Sequence, residues 1–428
     1  MAKHLMKVLF LVLYLFSATI SAQAKTYTLT ECETQALKHS HKITQSELEH
    51  SSAKEAKKEA FTNYFPTVKA DGGYMSSKKD LLKTAVGMDG AVLPVDLLRE
   101  GMYGTVSITQ PIFAGGRITN SNKLAKIAEE SAALQSVLAQ KDVKLQTAAY
   151  YWQIVSLKEK LKTVQSMEKY VKTLHKDVSA AVEAGLAMNN DILQVELRAQ
   201  EIASSKITLE NALQITKEAF AQFLQVSEKD FDIKYDGKTQ YYPPEKYLVD
   251  TNKAVQKRLE TELFGKQVEA AKLQTKIKDG ENLPTLAVGG AHVHHDLFDR
   301  TVDSNMVYAT VSVPISSWWG GTHAHRKNKY QEQEAKDRKQ DGIELMKVET
   351  DKAYHNLEEA YAQIKLAEKS IKSAKENLRL VDNYYKAGTK TLTDVLDAQT
   401  LSQNSQDMFA DAFSRYQIFL ANYKKITE

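Results

Sequence analysis

The feature that most constrains the fold is the distribution of prolines. The 428 residues contain only seven prolines, and none falls within residues 112–242 or 315–428. Both runs are rich in Ala, Leu, Gln, Glu and Lys, which favour helices, whereas proline ends them. The sequence therefore predicts long helices. It excludes an all-β protein and argues against a doubly wound α/β enzyme, in which turn signals recur roughly every 10–15 residues.

The first 24 residues have the features of a secretory signal peptide. Lys3 and Lys7 precede an apolar run over residues 8–16, and this run is too short to cross a bilayer as a helix. Residues 22–24 form an A-x-A cleavage site, so we expect the mature chain to begin at Lys25, and a retained anchor is the alternative. No later run approaches 18 apolar residues, so we expect no transmembrane helix in the mature chain.

Charge and cysteine content exclude further classes. The formal net charge of +3 is close to neutral for a chain of this length and gives no support for a nucleic-acid partner. Cys32 is the only cysteine, so an intrachain disulfide is excluded. The sequence has no nucleophile elbow and no phosphate-binding glycine loop, so we predict neither a catalytic site nor a cofactor.

The chain contains an internal repeat. Phe-Pro-Thr-Val at 65–68 recurs as Leu-Pro-Thr-Leu at 283–286, and residues 106–112 match residues 309–315. Ala-Gly at 184–185 recurs at 387–388. The offset falls from 218 to 203 because the first copy has fifteen extra residues between its two proline-marked segments. We expect these extra residues in an outer loop, with Leu81, Leu82 and residues 92–98 near the cell exterior.

This repeat predicts the domain organisation. After a signal peptide over residues 1–24, one structural repeat covers residues 25–250 and a second covers residues 251–428. Each repeat contains a helix, then a strand pair (within 64–113 and within 283–315), then long helices. The helices turn at a tip near residues 185–191 in the first repeat and near residues 387–394 in the second.

The strands have one apolar and one polar face. Val106 and Ile108 alternate with Thr105, Ser107 and Thr109, which is typical of a half-buried strand. A soluble sandwich gives the same alternation, but four strands offer no second sheet to pack against. Four strands also cannot close a membrane barrel, since the smallest use eight, and an open edge is not tolerated in lipid. Strands embedded in a membrane therefore require several chains in one barrel.

The helices predict pairing along their whole length. From Ala353 to Tyr385, small and large apolar residues recur at alternating steps of four and three, which is a heptad seam. Residues 117–183 contain no helix breaker, so a continuous helix there would be about 100 Å long. A helix of that length has no globular core to lie on and needs partner helices.

With these features in place, the sequence resembles the TolC family of outer-membrane efflux ducts. The resemblance covers essentially the whole mature chain and rests on the two repeats and on three segments: Tyr-Phe-Pro-Thr at 64–67, Gln-Pro-Ile-Phe-Ala-Gly-Gly at 110–116, and Ala-Gly-Thr-Lys-Thr-Leu-Thr-Asp-Val-Leu-Asp-Ala at 387–398. It implies a mainly α fold, in which a long coiled-coil α-barrel is continuous with a trimeric twelve-stranded outer-membrane β-barrel. It also implies a mixed belt near residues 225–258 and the C-terminus.

The resemblance implies the function as well. The chain would form a channel-tunnel in the outer membrane of a Gram-negative bacterium, extend into the periplasm, and export small molecules or proteins. Its partners would be two further copies in a homotrimer, outer-membrane lipid, a periplasmic adaptor (membrane fusion) protein, and an inner-membrane pump driven by protons or by ATP. The alternatives are a periplasmic coiled-coil adaptor or structural protein, and a secreted enzyme with a helical domain.

Candidate functional residues cluster at the tips. Asp394 and Asp397 are three apart on a predicted helix and share a face. The resemblance implies that they form an acidic ring around the periplasmic aperture. Residues 391–394 also read as a capping box, and the two roles can coexist. The resemblance further implies that Asp191 bonds to Lys390 and Tyr385 and so holds the tip closed.

Two other groups have two interpretations each. Trp318 and Trp319 are either aromatic anchors at the membrane interface or packing residues at a strand–helix corner. The histidines fall into two groups. The first is predicted in an external loop beside Asp296 and Asp299 and contains His292, His294 and His295. The second is predicted at a helix start and contains His323 and His325. We interpret both groups as solvated and predict no metal site, since a metal needs several ligands with orienting neighbours, and metal binding is the alternative.

Overall fold

The computed structural model describes residues 25–78, 83–88, 91–96, 100–227, 231–237, 240–296 and 301–428. The predicted signal peptide over residues 1–24 lies outside the described residues. The same holds for Leu81, Leu82 and Asp299.

The described elements follow one another along the chain in this order: β1 (Lys25–Tyr27), α1 (Leu29–His39), α2 (His41–Thr62), β2 (Thr67–Ser76), β3 (Lys83–Met88), β4 (Ala91–Asp96), β5 (Glu100–Ala114), α3 (Arg117–Glu183), α4 (Asn189–Leu224), β6 (Phe231–Ile233), a 3-10 turn (Pro244–Tyr247), α5 (Thr251–Lys257), α6 (Leu259–Gly280), β7 (Thr285–His295), β8 (Val302–Ser312), α7 (Ser317–Lys386) and α8 (Leu392–Thr427).

Four long helices dominate the fold. α3 has 67 residues and α7 has 70, so each is about 100 Å long. α4 and α8 have 36 residues each. The continuous helix predicted over residues 117–183 is confirmed. The predicted seam of α7 is buried at Ala353, Leu357, Ala360 and Ile364.

The chain divides into two compact units. The first comprises Met1–Gln45, Leu138–Gln256 and Lys347–Glu428, and the second comprises Ser46–Val137 and Lys257–Met346. Each unit takes residues from both sequence repeats. The compact units and the repeats are therefore different divisions of the chain.

The core of the first unit is rich in aromatic rings. β1 pairs in parallel with β6, and Phe231 of β6 packs edge-to-face on Phe220 with ring centroids 5.4 Å apart. The segment after β6 is fastened to α8, because the Tyr416 hydroxyl donates to the Tyr242 carbonyl oxygen at 2.7 Å. The hydroxyl of Tyr423 accepts from the Val249 N–H at 3.3 Å.

The second unit contains a four-stranded antiparallel sheet in the order β2–β5–β7–β8. The register places apolar side chains on one face of the sheet, and most of them are exposed to solvent. Val307, for example, is 91% exposed. The apolar side chains of this face are Val68, Ala70, Val106, Ile108, Val288, Val307, Ala309 and Val311, and the polar residues Gln110, His292 and Asn305 share it. The opposite face is more polar and includes Lys69, Asp71, Thr105, Ser107, Thr109, Ser304 and Thr310.

The structure corrects the expectation of only four strands. The fifteen-residue insertion includes β3 and β4, which form an antiparallel pair of their own. The sequence carries a signal for this hairpin that the prediction of four strands overlooked. Asp-Gly at 89–90 separates two segments that contain β-branched residues, and this dipeptide is a strong hairpin signal.

The position predicted for the first histidine group is wrong. His292, His294 and His295 lie within β7 rather than in a loop, because the pairing of β7 with β8 continues as far as His295 and Val302. His292 Nδ1 lies 2.9 Å from Asn305 Oδ1, and His294 Nδ1 lies 2.8 Å from an Asp303 carboxylate oxygen.

Candidate functional site at the helix turns

The turn between α3 and α4 is set by one glycine. Gly185 has φ +72°, a conformation that glycine adopts without steric cost. Its N–H donates to the Val182 carbonyl at 2.9 Å, and the Leu186 N–H donates to the Ala181 carbonyl at 2.8 Å. These two bonds satisfy the carbonyls of Ala181 and Val182 in the last turn of α3. Leu186 and Met188 are then left exposed at the tip.

The turn between α7 and α8 repeats this geometry. Gly388 has φ +76°, and its N–H donates to the Tyr385 carbonyl at 2.9 Å. The Thr389 N–H donates to the Tyr384 carbonyl, also at 2.9 Å. The two tips of the chain therefore share one backbone design, as their matching Ala-Gly sequences indicate.

Asp394 caps the start of α8. Its Oδ2 accepts from the Thr391 N–H at 2.9 Å, and its own N–H donates to the Thr391 hydroxyl at 3.3 Å. Lys390 Nζ lies 3.2 Å from Asp394 Oδ1. The hydrogen bonds from Thr391, and then the one from Lys390, lower the pKa of Asp394 below its ordinary value. The capping interpretation of residues 391–394 is thus confirmed.

Asp397 lies one turn further along α8 and is exposed. It forms no hydrogen bond or ion pair with any residue that the structure describes. Leu392 and Val395, on the other side of the helix, are buried against α3 and α4. The two predicted aperture carboxylates therefore share the face of α8 that points away from this packing, and only Asp394 is engaged within its own chain.

In the described part of the chain, no hydrogen bond or ion pair joins Asp191 to Lys390 or to Tyr385. Asp191 accepts from the Met188 N–H at 3.1 Å at the start of α4. Burial is the main reason why the pKa of Tyr385 is raised, and the charges of Asp191 and Asp177 add to it. Lys390 is paired with Asp394 rather than with Asp191 within the chain.

A polar network between α4 and α8 was not predicted. Arg198 Nε donates to Gln399 Oε1 at 3.3 Å, and its Nη2 donates to Gln403 Oε1 at 3.2 Å. Gln399 is fully buried, and its amide nitrogen lies 3.7 Å from the Met167 sulfur. The sequence signal was the pair of glutamines one turn apart on a helix whose other inward positions are small or apolar.

A second polar link joins α3 to α7 near the tips. The Tyr170 hydroxyl donates to Asp382 Oδ1 at 3.0 Å, and Lys386 Nζ lies 2.7 Å from Asp382 Oδ2. Burial is the main reason why the pKa of Tyr170 is raised, and the Asp382 charge adds to it.

The two tryptophans differ in their surroundings. The Trp318 indole N–H donates to the Asn282 carbonyl at 2.8 Å, which ties the start of α7 to the turn before β7. Trp319 is 83% exposed. Trp318 is therefore tethered at the strand–helix corner although it is 49% exposed, whereas Trp319 is presented outward.

Two features are absent from the described part of the chain: a cluster of metal ligands and a membrane-spanning helix. It contains no group of three or more His, Cys, Asp or Glu side chains that could hold a metal ion. None of the described helices is long and apolar enough to cross a membrane. His325, in the second histidine group, lies in the early turns of α7, with Nδ1 2.8 Å from Asp279.

The comparison with protein families decides the assignment. The family described as outer membrane efflux protein matches residues 34–224 and 264–426, which is most of the chain. The chain belongs to the outer membrane efflux protein family. "Outer membrane protein TolC" of Escherichia coli (strain K12) is 22% identical over 345 residues, which cover 75% of this chain and 68% of TolC.

Solved structures share the fold. The outer membrane protein VceC from Vibrio cholerae has a TM-score of 0.77 at 16% identity, over 93% of this chain and 96% of VceC. The Campylobacter jejuni CmeC outer membrane channel has a TM-score of 0.75 at 14% identity, over 93% of this chain and 85% of CmeC. The predicted fold class is confirmed by these likenesses.

Family membership also confirms the localisation. The protein is an efflux protein of the Gram-negative outer membrane that extends into the periplasm. Its relatives are channel proteins.

Proposed function

We propose that three copies of this chain form one channel-tunnel, which exports small molecules or proteins across the periplasm and outer membrane together with a periplasmic adaptor and an inner-membrane transporter. One observation carries the proposal. The four-stranded sheet has an exposed apolar face, a polar opposite face, and two edges that pair with no other described strand.

The edges favour association of identical chains. β2 and β8 are the outer strands of the sheet, and their free N–H and C=O groups would each cost several kcal/mol in lipid. Because the sheet contains an even number of strands that alternate in direction, β8 of one copy meets β2 of the next in an antiparallel arrangement. Ring closure thus continues the existing pairing pattern without a change of geometry.

The faces favour a pore. In a closed ring, the apolar face would contact lipid and the polar face, with Lys69 and Asp71, would line a water-filled interior. Two copies would give the minimal eight strands, and three would give twelve. We propose three, as in the family that the sequence resembles. We propose transport rather than catalysis as the only activity.

The helix turns support a gate. In a trimer, Asp394 and Asp397 would bring six carboxylates to the periplasmic aperture, where they would attract cations. We propose that Asp191, Tyr385 and Lys390 form the links that keep the tips closed. Lys390 would then exchange between Asp394 of its own chain and a neighbouring tip when the aperture opens or closes.

The strand–helix corner supports a position for the membrane boundary. Trp319 is exposed just beyond the end of β8, where an indole ring suits the lipid headgroup region. We propose Trp319, steadied by Trp318, as the aromatic anchor on the periplasmic side. The β3–β4 insertion would then lie on the extracellular side, so protease added to intact cells should cleave near it before it cleaves near Gly185.

Cross-linking tests the assembly. Cysteine placed at Lys69 on β2 and at Ser304 on β8, linked by a flexible bis-maleimide, should give trimers in detergent and in membranes. Native Cys32 should not interfere, because it is fully buried and burial raises the pKa of its thiol to about 12. The matched control moves both cysteines to the central strands, at Ser107 and Ala291 on the same polar face, where no link between copies should form.

Two results would contradict the proposal. A stable monomer in the membrane would exclude the shared barrel. Release of the protein from cells without detergent would favour the alternative of a periplasmic coiled-coil adaptor or structural protein.

A further inference from the structure

A cavity of about 470 Å³ lies within the first unit, between α1, α3 and the end of α8. This volume falls within the range of small-molecule sites, about 300–1,000 Å³. The long direction of the cavity follows two antiparallel helices. The Ser414 hydroxyl donates to the Trp152 carbonyl near one end, and Lys425 pairs with Asp142 near the other. On α3 these ends are about 15 Å apart.

The inner end is apolar with one polar exception. Trp152, Leu145 and Leu420 line it, and Trp152 is almost fully buried. Gln417 also lines it and is only 8% exposed, yet its amide nitrogen has no hydrogen-bond partner among the described residues. A buried donor without an acceptor is destabilising. An oxygen atom of a bound molecule would satisfy it.

The other end is cationic. Lys141, Lys144 and Lys424 line this end, and Glu33 and Glu428 are the carboxylates beside them. Lys425 already forms an ion pair with Asp142. Lys141 forms no ion pair with any described residue, and its end of the cavity therefore has uncompensated positive charge.

We propose that this cavity binds an elongated anionic amphiphile, with its acidic head group against Lys141 and Lys144, its apolar body along Trp152, and an acceptor oxygen on that body bonded to Gln417. A hydroxylated fatty acid has this chemistry. The inference goes beyond the proposed export function, since the cavity is built within one compact unit and does not depend on a barrel or on a gate.

Trp152 provides the assay. The chain contains three tryptophans, so replacing Trp318 and Trp319 with Phe leaves Trp152 as the only indole. In lipid nanodiscs, 11-bromoundecanoate should quench its fluorescence on contact. Three compounds of similar length are then used to displace the quencher: 12-hydroxydodecanoate, dodecanoate and 1,12-dodecanediol. We expect the hydroxy acid to compete best.

Two variants separate the two ends of the site. Lys141→Gln with Lys144→Gln should lower the preference for the hydroxy acid over the diol by about tenfold, because the charged contacts are lost. Gln417→Met keeps the side-chain length and should lower the preference for the hydroxy acid over dodecanoate by about fivefold. Lys169→Gln with Lys176→Gln, on exposed positions of the same helix, should change neither preference.

Three results would overturn the proposal. Absence of quenching in the assembled protein would mean that a neighbouring copy or another segment fills the cavity. Equal competition by the acid and the diol would show a merely apolar cavity. Unchanged preferences in variants that keep wild-type circular dichroism and assembly would show that these residues do not form the site.

Discussion

Replacing Gly115 with Ala should destabilise the junction between the sheet and the long helices more than any other glycine substitution nearby. Gly115 has φ +63° in the turn between β5 and α3. A Cβ atom there would also lie closer than 3.0 Å to the backbone of Gly280, at the end of α6. Two costs therefore fall on one residue, a left-handed backbone conformation and a backbone clash.

Neighbouring glycines separate these costs. Gly116 has φ +75°, but its Cβ would have only an ordinary contact at 3.5 Å with Asn120, so Gly116→Ala should cost about 1–2 kcal/mol of unfolding free energy. Gly280 would clash with Gly115 without a left-handed conformation, and Gly280→Ala should cost about 1–3 kcal/mol. Gly115→Ala combines both and should cost about 2–5 kcal/mol.

Gly104→Ala is the matched control. Gly104 lies in β5, and a Cβ atom there would meet nothing within 4 Å, so its stability should change by less than about 0.5 kcal/mol. The assay is guanidinium unfolding of the detergent-solubilised protein, followed by far-UV circular dichroism with the slope m checked for constancy. If Gly115→Ala were no less stable than Gly116→Ala, the close approach to Gly280 would not exist and the reasoning would fail.

Three further predictions concern the tips and α8. Arg198→Met should free α4 from α8 by removing the hydrogen bonds to Gln399 and Gln403, which should lower the unfolding free energy by about 1–3 kcal/mol. Single-channel recording should then show more frequent opening. Arg198→Lys, which cannot reach both amides, should have an intermediate effect. Asp397→Asn should weaken block by multivalent cations while leaving the unfolding free energy unchanged, whereas Asp394→Asn should weaken block and also lower the unfolding free energy by about 0.5–2 kcal/mol. Burial raises the pKa of Asp407 from its ordinary value of 3.8 to about 6, although the charge of Lys160 lowers it. The native state therefore binds the proton more tightly than the unfolded chain does, so the stability from this group is fully present below about pH 3.8 and is lost as the pH rises to about 6. Asp407→Asn should thus raise the unfolding free energy at pH 8 by about 1 kcal/mol, a figure already reduced for partial solvent screening, and by much less at about pH 3.5.

The bounds of α3 could be predicted to the residue, because they depend on local sequence. α3 is defined by the absence of proline over residues 117–183 and by the presence of Gly185 just after that run. The seam of α7 was equally visible, since Leu357 and Ile364 recur with the heptad. The strands were predicted from alternation, but their extent was not. Pairing with a neighbouring strand, rather than composition, carries β7 on to His295.

Contacts between distant segments were outside the reach of sequence reasoning. The bonds from Arg198 to Gln399 and Gln403 join residues that are more than two hundred positions apart. Each residue alone reads as a solvated polar side chain on a helix. The cavity beside Gln417 has the same origin, because its walls come from three separate segments of the chain.

The two tip carboxylates show why spacing alone could not assign roles. Asp394 and Asp397 have the same charge and share a helix face, and the capping box over residues 391–394 was the sequence feature that set Asp394 apart. The structure separates them, because both oxygens of Asp394 are engaged, one by Thr391 and the other by Lys390. A carboxylate held by a backbone N–H and a lysine has part of its charge compensated before any ion approaches. Asp397 has no such partner among the described residues, so in an assembled aperture its charge would be the more available to a passing cation. Asp394 would contribute charge to the ring and also cap α8, so its loss would affect both the charge of the ring and the stability of the helix.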